Sequence, residues 1–203
     1  MRESDNMQEG LLRPFNQPCY TKEGKQLGWF SRSMAVSVFI FCKDSDGRWN
    51  ILASERGPGT PDFQGYWNCV CGYVEFDTTI ADNCIKEVHE EVGVEISKES
   101  LIFIGFEDSP SANHQNVTFR YAVIYSDRIT DDFSFSKEWN EEGEVGDIKW
   151  IPVDEVARYQ WAFGHKDRIL EIYNSHVNRF NALKRILVKP LKALFGMKLK
   201  KDV

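Results

Sequence analysis

No stretch of this sequence approaches the roughly 20 consecutive apolar residues that a membrane-spanning helix requires. Its opening residues, MRESDNMQEG, lack the apolar core of a signal peptide, so the expected compartment is the cytoplasm. Cysteine is sparse: Cys19, Cys42, Cys69, Cys71 and Cys84 are odd in number and show no paired zinc-type spacing. That argues against a disulfide framework or a zinc site. Cys69 and Cys71 would share one face of a strand, which suits small packed thiols. Positive charge is not in surplus either. A formal net charge of −6 argues against nucleic acid as a general partner, because phosphate binding is driven by excess Lys and Arg. There is no internal repeat and no low-complexity segment.

What remains is ordinary for a soluble globular protein. With 42% hydrophobic and 28% charged residues over 203 positions, the chain can bury one sizeable core, with room for an extension. Residues 1–33 are polar, mixed and without a sustained period, and read as a leader whose later part adds a strand at an edge. Met34 to Cys42 (MAVSVFIFC) is an apolar, β-branched and aromatic run, the pattern of a buried strand. Asp44 to Gly47 is a turn, and Trp49 to Ser54 returns as its partner. The segment from Arg56 to Gln64 is broken by Gly and Pro into a loop, and Trp67 to Gly72 is short and strand-like.

Ile80, Cys84, Val88 and Ile85 then form one apolar stripe, which predicts a helix from Thr79 to about Val92. Asp77 or Thr78 is the expected N-cap and Gly93 the stop. Further strands are expected over Leu101–Phe106, Val117–Ser126 and Asp147–Ile151, and a helix over Pro152–Arg158. This order is α+β.

On the helix, Glu87, Glu90 and Glu91 are spaced by three and one, away from the apolar stripe and facing out of the core. Three carboxylates on one side repel strongly unless a cation shares them. A hard divalent ion such as Mg²⁺, which takes oxygen ligands and bridges phosphates, fits that pattern.

The same segment, GYVEFDTTIADNCIKEVHEEVGV over residues 72–94, resembles the Nudix signature G-x(5)-E-x(7)-R-E-U-x-E-E-x-G-U, where U is a bulky aliphatic residue. Gly72, Glu87, Val88, Glu90, Glu91, Gly93 and Val94 fall in register. Thr78 stands in place of the first Glu and Lys86 in place of Arg. Upstream, Val70 and Cys71 replace the Pro and Gly of a W-x-x-P-G-G approach. The resemblance implies the Nudix fold, a mixed β-sheet sandwiched between helices, over about residues 34–175. It also implies hydrolysis of a nucleoside diphosphate linked to another group X, with Mg²⁺ or Mn²⁺ as cofactor.

By the same resemblance, Glu87, Glu90 and Glu91 carry catalysis. Glu90 and Glu91 are the leading metal ligands, Glu87 is a ligand or the residue polarising water, and the Gly72 carbonyl is a further ligand. Family members draw one more carboxylate from a loop, and Glu144 is the best placed. Thr78 removes a carboxylate near the metal, and Lys86 keeps the charge of Arg but loses its planar fork. These departures define the alternative of a Nudix-fold nucleotide-binding or regulatory module. For the substrate, Arg56, Arg120 and Lys166 are available to phosphate charge. Trp67, Phe106, Trp161 and Phe163 are available to stack on a base, and His165 to act as an acid or phosphate donor.

From residue 176 to 203 the chain becomes an amphipathic basic tail. Lys184, Arg185, Lys189, Lys192, Lys198, Lys200 and Lys201 stand there against the single acid Asp202. Such a tail suits an anionic membrane surface or an acidic partner. The plainer reading is a terminal helix docked on its own domain or on a second copy in a homodimer.

Overall fold

A computed structural model describes residues 17–112, 115–136 and 143–178. Nine strands and two helices carry the fold: β1 (Gln17–Tyr20), β2 (Gln26–Phe30), β3 (Ser33–Lys43), β4 (Trp49–Arg56), β5 (Trp67–Asn68), β6 (Val70–Tyr73), α1 (Ile80–Val92), β7 (Ile102–Glu107), β8 (Asn116–Ile129), β9 (Val145–Pro152) and α2 (His165–Ile172). β1 and β2 form a separate two-stranded antiparallel ribbon rather than an added edge strand. The other seven strands make one mixed sheet.

β3 is the centre of that sheet because its residues are apolar on both faces. Val36, Val38 and Ile40 point toward α1, where they meet Cys84, Val88 and Val92. Phe39 and Phe41 point the other way, toward Ile169 and Ile172 of α2. Continuous burial on both faces explains why the run does not alternate. One edge of β3 is fully covered by β8, paired in parallel from Ser33↔Asn116 onward. The other edge is shared. β4 pairs with β3 only over Phe41–Lys43, and β6 takes Ala35–Val38. β9 pairs with the other edge of β4 from Asn50↔Pro152 to Arg56↔Val145, and beyond the short β3 contact the first edge of β4 passes to β5. The sheet is therefore forked, and the fork lies beside α1.

The strand expected over residues 67–72 is broken at Cys69, where the chain passes from pairing with β4 to pairing with β3. Cys69 is fully buried, while Cys71 is half-buried. α1 starts one residue later than the Asp77 or Thr78 cap implies. The Thr79 hydroxyl accepts the Asp82 N–H, and the Asp82 carboxylate accepts the Thr79 hydroxyl in return. Gly93 ends the helix in the left-handed region, φ 69°, its N–H donating to the His89 carbonyl at 2.9 Å. The helix expected over 152–158 is a 3₁₀ turn, with Val153 and Val156 buried as the pattern requires. Among the described residues no helix is long and apolar enough to cross a membrane. The basic residues of the tail lie outside the described residues.

Candidate functional site

The fork in the sheet brings carboxylates to backbone. Glu91 projects from α1 into it: one oxygen accepts the Cys71 N–H of β6 at 2.9 Å, the other the Ser54 hydroxyl of β4 at 3.2 Å. Ser54 is buried, and its one hydroxyl proton is shared between Glu91 and the Asn68 carboxamide oxygen, each at 3.2 Å. One turn earlier, Glu87 lies on the β6 backbone. A Cβ placed on Gly72 would stand 2.3 Å from its carboxylate atoms. Only glycine leaves that space, which ties the first residue of the motif to the second carboxylate through contact rather than turn geometry.

Asn83, fully buried on α1, holds this arrangement together. Its carboxamide donates to the Tyr73 carbonyl at 3.1 Å and to Glu87 at 3.3 Å, and accepts the Glu75 N–H at 3.2 Å. Neither Ser54 nor Asn83 was singled out from the sequence. A fully polar residue four positions before Glu87, beside Cys84 in the apolar stripe, was the available signal.

Burial shapes the electrostatics. It pushes the Glu87 carboxyl up to about 7, opposed by Lys86 and reinforced by the Glu90 charge. Burial likewise pushes Glu91 up to about 8, against the Cys71 N–H, with Glu87 adding repulsion. Glu87 and Glu91 therefore face the sheet, not solvent as the apolar stripe alone implied, because α1 crosses the sheet at its fork. Glu90 does leave the core: its carboxylate meets Lys86 Nζ at 2.8 Å, and the same ammonium reaches Glu75 at 3.0 Å. The expected trio is thus a converging pair plus a third carboxylate engaged by Lys86. Among the described residues no three His, Cys, Asp or Glu side chains gather closely enough to hold a metal. The pair, an all-oxygen donor set on a glycine backbone, with both charges disfavoured by burial, still fits a hard divalent cation.

Of the remaining expected residues, Arg56 lies near enough to Glu91 for its charge to act on it, and the others are dispersed. Glu144 is exposed, and its backbone carbonyl accepts the Gly57 N–H at 2.6 Å. Arg56, at the end of β4, donates to Asp62 at 2.6 Å, and its guanidinium sits 4.8 Å from the Phe163 ring centroid. Arg120 on β8 pairs with Glu107 at 3.2 Å in a cleft it shares with Arg168 and Phe106. Trp67 is a core residue, packed edge-on against Tyr159 and under the Lys149 ammonium. Trp161 pairs with it through an isolated bridge.

His165 is buried and its Nδ1 accepts the Cys69 N–H at 3.0 Å, which places its proton on Nε2. Burial, with Arg120 and Arg56 adding to it, lowers its pKa to about 3. The charged imidazolium is thereby disfavoured, while the neutral ring keeps Nε2–H as a donor and is tied to β5–β6 through Cys69.

The model of the NUDIX domain matches residues 33–171. The chain belongs to the Nudix family. Solved Nudix structures share the fold at low identity. The NUDIX domain of Shewanella oneidensis NrtR, complexed with ADP ribose, is 17% identical with a TM-score of 0.59, covering 86% of this chain and 98% of that one. NrtR from the same organism, complexed with a 27mer DNA, is 18% identical with a TM-score of 0.50, covering 67% and 58%. A bifunctional NMN adenylyltransferase/ADP ribose pyrophosphatase from Francisella tularensis, complexed with AMP and a Mn ion, is 16% identical with a TM-score of 0.53, covering 84% and 45%. No curated protein matches this Nudix chain by sequence.

Proposed function

We propose that this Nudix protein hydrolyses a diphosphate linkage in a nucleoside diphosphate joined to a further group X, with Mg²⁺ or Mn²⁺ as cofactor. The observation that carries the proposal is the Glu87–Glu91 pair, held against Gly72 where the sheet forks. Glu87, Glu91 and the Gly72 carbonyl would hold the ion, with Glu90 and Glu144 as further ligands within reach of rearrangement. Such an ion supplies charge neutralisation for the phosphates and acidifies a water.

The chain's own groups do the rest. Glu91 is fixed by two hydrogen bonds from two strands and serves as an anchor. Glu87, seated on the Gly72 backbone and held by Asn83, would either join Glu91 as a ligand or take the proton of the attacking water. Arg56, at the mouth of the same fork, is the cation best placed for phosphate oxygens. ADP ribose in one solved relative supports a small diphosphate-bearing partner, and AMP with a Mn ion in another supports a nucleotide and a divalent ion.

The assay is a panel of nucleoside diphosphate sugars, dinucleotides and triphosphates, with and without Mg²⁺. Turnover that needs the ion and falls at least about a hundredfold in Glu91→Gln supports the reading. No turnover of any compound refutes it.

A second reading, a nucleotide-binding or regulatory module, is favoured by Thr78 and by the convergence of two carboxylates rather than three among the described residues. Restoring Thr78→Glu with Lys86→Arg separates the two. A large gain from near zero supports the module, and little change supports the enzyme. The acidic balance of the chain supports a small-molecule partner, and the DNA complex of NrtR keeps nucleic acid as the competing one. The free thiols support a cytoplasmic location. For the tail, equal binding to neutral and anionic vesicles, with and without residues 188–203, would end the membrane proposal. Sedimentation decides between monomer and homodimer.

A further inference from the structure

Two residues other than glycine have left-handed backbone among the described residues, and both are phenylalanine: Phe63 at φ 50° and Phe163 at φ 55°. A bulky side chain rarely adopts that region. Phe163 and Gly164, φ 69°, occupy the centre of a turn closed by the His165 N–H on the Ala162 carbonyl at 3.0 Å. Two positive φ values in succession are the pattern that Asn, Asp and Gly normally fill.

The core does not account for either ring. Phe63 is 44% and Phe163 45% exposed. They meet each other instead, with centroids 5.1 Å apart and planes at 71°, so that they form an open corner. His165 backs the Phe163 ring at 5.7 Å, and Tyr66 backs Phe63 at 5.5 Å. The Arg56 guanidinium, tethered by Asp62, lies 4.8 Å from the Phe163 centroid. Arg56 lies two residues beyond Ser54 on β4, across an irregularity in the β4–β9 register, and its charge acts on Glu91. Ser54 is bonded to Glu91. The aromatic corner therefore neighbours the cation, and the cation neighbours the carboxylate pair.

We propose that Phe63 and Phe163 stack the base of a nucleoside diphosphate whose phosphates reach Arg56 and the Glu87–Glu91 pair. Strained backbone concentrates where a site must present a group in a fixed pose. Here the group is a pair of half-exposed rings one cation away from a diphosphate site. A base supplies the flat π face, and its diphosphate supplies the charge for Arg56. The inference deepens the proposed function and rests on it for the position of the phosphates, not for the stacking itself.

The test compares ADP, adenosine and inorganic pyrophosphate as probes of the full chain by calorimetry, in EDTA and with Mn²⁺. Asn tolerates positive φ, so Phe163→Asn and Phe63→Asn should keep or raise the melting temperature. Both variants should bind ADP and adenosine about ten- to a hundredfold more weakly, the loss of one stacked base. Pyrophosphate binding should be unchanged, and Phe163→Trp should bind ADP like the parent. Equal ADP affinity in parent and Phe163→Asn overturns the inference, as does a parent that binds ADP no tighter than pyrophosphate. A parent that binds adenosine but takes up no pyrophosphate with Mn²⁺, and loses adenosine on Phe163→Asn, keeps the corner and discards the diphosphate site.

Discussion

Replacing Glu91 with glutamine separates the charge at the fork from its shape. The isostere keeps an oxygen for the Cys71 N–H but carries no ionisable proton. In the native protein, burial raises the Glu91 carboxyl from 4.5 to about 8. Below pH ~4.5 the group is protonated in folded and unfolded chains alike, and no penalty exists. As pH rises toward 8 the unfolded chain releases the proton and the folded one retains it, so stability is progressively lost. At about 1.4 kcal/mol per unit, the full shift corresponds to ~5 kcal/mol, and partial solvation of the site brings this to about 2–4 kcal/mol.

Urea unfolding in EDTA at pH 5 and pH 8.5 reads it directly. The two proteins should be nearly equal at pH 5, and Glu91→Gln more stable by about 2–4 kcal/mol at pH 8.5. Glu87 shifts in the same direction and is present in both, so the difference reads the burial of Glu91 together with its repulsion by Glu87. Excess Mn²⁺ should narrow or reverse the order, since an ion at 100 times its Kd adds ~2.7 kcal/mol to the protein that binds it. Parallel pH curves in EDTA would refute the assignment of a desolvated carboxylate to the fork.

Asn83→Ala removes three buried hydrogen bonds at once and should cost about 2–4 kcal/mol by urea unfolding. A loss under ~1 kcal/mol would show that the clamp is not needed. Gly93→Ala adds a Cβ 2.7 Å from Ser136 at a φ of 69° and should lower stability by about 1–3 kcal/mol. An unchanged unfolding midpoint would contradict the observed helix end. The acid limb has its own source. The His165 pKa is held at about 3, so stability should fall by about 2 kcal/mol between pH 6.5 and pH 5 and continue falling below that. His165→Gln should flatten this limb, and an unchanged slope would mean that the imidazole is solvated. Lys86→Ala should cost under ~1 kcal/mol, since both its ion pairs are half-exposed; a larger loss would show that the Glu75–Lys86–Glu90 bridge is structural.

The parts of the fold governed by local pattern were readable from residues alone. The 34–42 run, its hairpin through Asp44–Gly47 and the α1 stripe of Cys84 and Val88 all appear where periodicity puts them. The orientation of Glu87 and Glu91 was not readable. It depends on β4 leaving β3 after three residue pairs, a pairing between distant segments that no local spacing encodes. For the same reason the break at Cys69 is invisible in WNCVCGY, which is uniformly strand-like. His165 looked available in the sequence because FGHK is a turn; only the packing of α2 on Phe39 shows it enclosed. Phe163 stood among the aromatics available to a base, whereas Phe63 announces itself only through its backbone angle and its contact with Phe163.

The parallel partnership of β3 with β8 has a kinetic consequence. Residue 33 must find residue 116, and nothing nearer in sequence fills that edge of the central strand. During synthesis an oily ribbon spanning residues 34–42 therefore waits for some eighty further residues before its second neighbour is made. The chain should assemble late and slowly, with aggregation of nascent material as its characteristic failure.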